Sequence, residues 1–163
     1  HLASTLNLEQ TQECCRSHQI RSIAHLIRTE YLSVCNSFMW PDELRSCKYL
    51  DIPCTDPLGA GAAWPDACAY HTGLKVVSSA AHLFGKEQAG SDALAVLGNE
   101  VSLRDLRFHL DYQMALGITY FNIHGLSYSF DGARKDEVPP SLFYQHTEWR
   151  WMPELLNRPR ELC

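Results

Sequence analysis

Helical and strand-like segments take turns along almost the whole chain, and this alternation constrains the fold more than any other feature of the sequence. Residues 3–18 are polar and helix-permissive, with Leu6, Leu8 and Cys15 as core contacts. Residues 20–27 (IRSIAHLI) read as a short buried strand, and a helical stretch follows Trp40-Pro41 because proline suits a first helical turn. Residues 49–54 form a second strand, closed off by Pro53 and Pro57, and residues 54–70, rich in Gly, Pro and Ala, read as a loop. Leu74, Val77, Ala81 and Phe84 then share one helical face, with Gly85 as the stop. A weak strand over 88–93 carries Gly90 in its middle.

The clearest helix spans 102–116. Ser102 is the candidate N-cap, Asp105 takes the acid position of a capping box, and Leu103, Leu106, Leu110 and Met114 form the apolar stripe ahead of Gly117. The β-branched and aromatic run ITYFNI marks a strand over 118–124. A long polar loop, 125–140, leads to a last helix from about Thr147 to Asn157, which Arg158-Pro159 should end. Roughly five helices and four strands in strict alternation predict an α/β fold of parallel βα units. Four strands do not close a (β/α)8 barrel. The sequence therefore allows either a small doubly wound sheet or a partial, half TIM barrel, read as one domain over residues 1–163.

Charge and motifs narrow the function. With 14 Lys and Arg against 19 Asp and Glu, the net charge of −5 argues against nucleic acid or an anionic membrane as the main partner. Apolar residues never run to the ~20 that a membrane-spanning helix needs. There is no G-x-G-x-x-G and no G-x-x-x-x-G-K-[ST], so the phosphate-cradling loops of nucleotide folds are missing. The cysteines number 7, an odd count with no C-x-x-C spacing, and they read better as small buried residues than as a disulfide framework or zinc ligands. Cys68-x-x-His71 lacks a second pair. No cofactor is expected.

What stands out is where the titratable groups fall. His25 and Glu30, Asp56, Asp92, and His124 with Tyr128 each follow a predicted strand. Barrel enzymes build their sites at strand carboxyl ends in this way. Tyr128, Trp149 and Trp151 are candidates for an aromatic platform under a sugar ring, although Trp149 and Trp151, two residues apart, cannot share a helix face. At most one is expected at a site, with the other packed in the core. Arg134, with Lys135 and Asp136, is a candidate contact for an acidic sugar.

Several of these runs also resemble one family. Gly117-Ile-Thr-Tyr-Phe-Asn-Ile-His124-Gly, Tyr128-Ser-Phe-Asp-Gly-Ala-Arg134-Lys135-Asp136, Pro139-Pro140-Ser-Leu-Phe-Tyr-Gln145 and Trp149 are similar to a stretch of large multidomain bacterial glycoside hydrolases with a (β/α)8 catalytic barrel, of β-galactosidase-like or α-L-rhamnosidase-like architecture. Upstream, Val77 to Lys86, Ser91-Asp92-Ala93, Leu50-Asp-Ile-Pro53 with Asp56, and Ala24-His25-Leu26 resemble the preceding units of the same barrel. Cys54 stands where that family usually has Gly, and Asp92 where it usually has Glu.

The resemblance implies that this chain is the C-terminal half of the barrel. It makes Asp92 the catalytic nucleophile or base and places His25, Asp56, His124, Tyr128, Arg134 and Trp149 around the carbohydrate substrate. It also implies that the isolated chain is inactive, because the acid/base of such barrels follows a fourth strand that this segment does not contain. Two other readings remain: a non-catalytic carbohydrate-binding or assembly fragment, and a metal-dependent barrel hydrolase built on His25, Asp56, Asp92 and His124, which no H-x-H pair supports. A four-stranded open sheet has two unpaired edges, which predicts self-association.

Overall fold

The structure is a computed structural model that describes residues 2–26, 42–57, 67–129, 131–133 and 138–162, by backbone alone at 2–5 and 67–70. Among these residues, the chain runs α1 (Leu2–Ser17), β1 (Ile23–His25), α2 (Glu43–Cys47), β2 (Ile52–Thr55), α3 (Ala67–Leu83), β3 (Gly90–Ala93), α4 (Leu103–Ala115), β4 (Tyr120–Ile123), a 3-10 turn (Trp149–Trp151) and α5 (Met152–Leu162). The four strands make one sheet in the order β1-β2-β3-β4. Every pairing in it is parallel. Sheet order thus equals chain order, as for consecutive strands of a (β/α) barrel. Nowhere among the described strands does the order reverse, as it does in a doubly wound sheet.

Local chemistry sets most boundaries. Asp42 caps α2 by accepting the Arg45 N–H. Ser102 and Asp105 complete a reciprocal capping box on α4, with Ser102 taking the Asp105 N–H and the Asp105 carboxylate taking the Ser102 N–H. Gly117 ends α4 at φ +95°, a left-handed geometry that suits glycine, and its missing side chain leaves room for Ser78 of α3.

Helix boundaries depart from the sequence expectation in α3 and α5, where α5 also starts at Met152, after the 3-10 turn, instead of near Thr147. Helix α3 begins at Ala67, inside the stretch read as a loop, because Ala-Cys-Ala-Tyr is helix-compatible once the chain has left the Gly/Pro-rich part. Helix α5 runs on to Leu162 through Arg158-Pro159 instead of stopping at Asn157. Pro159 is buried, and Arg158 grips Asp111 of α4 with Nε–Oδ1 at 2.6 Å and Nη2–Oδ2 at 3.1 Å. Packing and this two-point ion pair hold a turn that the proline's missing N–H would otherwise weaken.

The apolar stripes read from the sequence do form the core. Leu74, Val77 and Ala81 of α3 pack with Leu26, Cys47, Ala89 and Ile118, and Phe84 lies against them. Leu106 and Leu110 of α4 pack with Ala93, Leu94, Leu97, Leu142 and Met152, with Phe121 and Ile123 of β4 beside them. Both clusters gather on one face of the sheet. Leu26, Ala93, Phe121 and Ile123 share the side-chain direction that meets α3 and α4, so the alternate residues, including His25 and Asp92, point to the opposite face.

Candidate functional site at the strand ends

That opposite face carries the chemistry. His25 is in register with Cys54, Cys54 with Gly90, and Asp92 with Asn122. Two residues past Cys54, Asp56 stands level with Asp92. His124, two past Asn122, keeps the same direction. His25, Asp56, Asp92, Asn122 and His124 therefore come from four successive strand ends and lie on one face, at the carboxyl edge of the sheet.

One donor atom from each of His25, Asp56 and Asp92 lies within 4.8 Å of the other two. His25 Nδ1 is 3.8 Å from Asp56 Oδ2, an ion-pair separation too long for a hydrogen bond. Asn122 Nδ2 donates to Asp92 Oδ1 at 2.9 Å, which fixes the carboxylate plane and leaves the second oxygen open. Asp56 is buried, and its Oδ1 has no hydrogen-bond partner among the described residues. Burial pushes the Asp56 carboxyl above the ordinary carboxylate range; Asp92 adds to the rise, while His25 and His124 oppose it. The Nδ1 of His124 is likewise buried and unpartnered. Buried polar atoms are normally paired, so two orphans on this one face point to a missing ligand more readily than to chance.

The backbone next to the site is also unusual. Immediately after β3, Leu94 and Val96 take φ +72° and +58°. A β-branched residue in this region costs about 1–3 kcal/mol and persists only where its surroundings impose it, commonly at functional sites. Beneath Asp92, Gly90 lets β2 approach closely: a Cβ there would lie 3.1 Å from Cys54 Sγ.

The other candidates divide. Tyr128 is exposed and lines a shallow pocket with His124, Gly125, Leu126, Ser127, Ser129 and Val138. Trp149 packs edge-on against Phe143, at 6.4 Å between ring centroids. Trp151 lines a separate groove with Arg104, Arg107 and Arg158. Both tryptophans are exposed, so neither fills the core as expected, because the 3-10 turn that carries them runs along the surface. Arg134 and Glu30 lie outside the described residues. Asn122 is the member that the sequence reading missed, although its place two residues before His124 in an alternating strand was the available signal. Of the cysteines, Cys47 and Cys54 are buried and free, as core packing predicts, whereas Cys14 is exposed.

In comparisons with known proteins, no family model, no curated protein and no solved structure matches this chain.

Proposed function

We propose that the chain is the closing half of a glycoside-hydrolase barrel and that its strand-end face holds the carbohydrate. The observation that carries this reading is the in-register layer of Asp56, Asp92 and Asn122 flanked by His25 and His124. Barrels collect site residues in this manner, one or two per strand, at the carboxyl edge. Asp92 is the carboxylate that faces the glycosidic bond, as nucleophile or base, with its orientation set by the Asn122 amide. Asp56, whose carboxyl burial raises above the ordinary carboxylate range, hydrogen-bonds a sugar hydroxyl. His25 and His124 supply further hydrogen bonds, and the exposed Tyr128 ring offers an apolar surface for the pyranose face.

Binding of methyl and aryl glycosides to the 163-residue chain, followed by ligand-observed NMR, tests the reading. Saturation transfer to at least one glycoside is expected, together with its loss in Asp92→Ala and His124→Ala variants that melt normally. Glycoside binding that persists in both variants, or no transfer to any pyranoside in the panel, overturns it. Cleavage of the aryl glycosides separates an active site from a purely carbohydrate-binding one.

A further inference from the structure

We infer that His25, Asp56 and Asp92 form a binding site for one divalent transition-metal ion. The inference shares the strand-end face with the carbohydrate reading but does not depend on carbohydrate chemistry. One nitrogen and two carboxylate oxygens lie within 4.8 Å of one another. An ion with ligand bonds of about 2.0–2.2 Å draws its donors to roughly 3–4 Å apart, so modest side-chain rotation closes the set. His25 is half-exposed, and its Nδ1 is already 3.8 Å from Asp56 Oδ2.

The unpartnered Asp56 Oδ1 is the independent sign of a ligand. Asp56 is only 8% exposed, yet nothing among the described residues donates to that oxygen. A buried carboxylate oxygen without a donor is costly, and a cation satisfies it directly. Past the end of β4, His124 Nδ1 is buried and equally unpartnered. Asn122, which donates to Asp92 Oδ1, leaves Oδ2 as the free ligand atom and serves as the outer partner that aims it. The mixed imidazole and carboxylate set suits Mn²⁺, Fe²⁺ or Zn²⁺ better than Ca²⁺, whose sites are built from oxygen alone. With an ion bound, Asp92 holds the metal, so its role towards a glycosidic bond belongs to the metal-free protein.

The test is Mn²⁺ titration of the whole chain, read by the loss of the free-ion paramagnetic resonance signal, with Zn²⁺ calorimetry as the second probe. Both are run in a Cys14→Ser/Cys15→Ser background, to remove the thiols of α1 as competing zinc ligands. One equivalent of ion is expected to bind, and Asp56→Asn, Asp92→Asn and His25→Ala should each weaken binding more than ~10-fold, since even outer partners of metal ligands are worth 10–100-fold. The exposed Glu100→Gln variant should bind as the parent does. Asp56→Asn is nearly isosteric and should fold, which a thermal melt verifies; if it does not, His25→Ala at the half-exposed edge decides. Absence of stoichiometric binding, or binding unchanged in the site variants, overturns the inference. Because the readout is metal occupancy, metal binding without glycoside binding refutes only the carbohydrate reading, and the converse refutes only this one.

Discussion

Gly90→Ala is a stringent probe of how β2 and β3 fit together beneath the site. The new methyl would meet Cys54 Sγ at 3.1 Å, Cys54 Cβ at 3.3 Å and Ile52 Cγ2 at 3.4 Å. Ordinary carbon contacts lie at about 3.5–4.0 Å. All three neighbours belong to the adjacent strand and are buried, so relief requires β2 and β3 to part by a few tenths of an ångström. Overpacking of this kind costs about 1–3 kcal/mol. Against it, alanine restricts the unfolded chain and returns about 0.4–1 kcal/mol. The balance is a net loss of about 1–2 kcal/mol, or roughly 3–6 °C in Tm for a chain of this size. Removing the sulfur should remove most of the penalty. Cys54→Ala alone costs about 1 kcal/mol for the lost packing, and the double variant Gly90→Ala/Cys54→Ala should be no less stable than Cys54→Ala, giving a coupling of about 1 kcal/mol. Urea denaturation of the four proteins, with unchanged m-values, measures it. Additivity within ~0.5 kcal/mol would show that the two positions do not press on one another and would refute the close fit of β2 and β3 at Gly90.

The remaining predictions concern charge, capping and thiols. Asp56→Asn should stabilise the protein at neutral pH. The folded-state pKa lies above the ordinary 3.8 because of burial first and then Asp92, so wild-type stability falls as pH rises from about 3.8 through that raised value. Thermal melts should show the variant's advantage at neutral pH and its disappearance in acid. Ser102→Ala removes the hydroxyl that accepts the Asp105 N–H, while the backbone half of the α4 capping box stays, and should cost about 1 kcal/mol in the same urea assay. Leu110→Ala, at a fully buried position, should cost about 2–5 kcal/mol. Burial first, with nearby carboxylates adding to it, pushes the Cys47 and Cys54 thiols up to about 12, so a disulfide reagent with mass mapping should label exposed Cys14 in the native protein and these two only after denaturation.

The fold was largely legible because its signals are local. ITYFNI is β-branched and aromatic, the Leu106–Leu110 stripe has helical spacing, and Ser102 with Asp105 spells out a cap. The errors fell where a tertiary contact outweighed a local rule. Pro159 should have stopped α5, but the Arg158–Asp111 pair and the burial of the proline ring carry the helix on. The tryptophan expected to pack in the core lies at the surface with its neighbour, since hydrophobicity alone does not say which side of a short turn faces inward.

At the site, the strand-end positions of His25, Asp56, Asp92 and His124 were readable from strand placement. Their convergence was not, because it depends on the register of three separate strand pairs. Asn122 escaped for the same reason, being recognisable as a partner only once Asp92 is known to lie opposite it.

The register has one further consequence. Since even-numbered positions of β3 and β4 turn towards the cluster while odd-numbered ones turn towards the helices, structural and chemical demands are written on separate letters of the same short words. Asp92 and Asn122 can vary without disturbing Ala93 or Phe121, so selection could rework what this face recognises while leaving the scaffold behind it untouched.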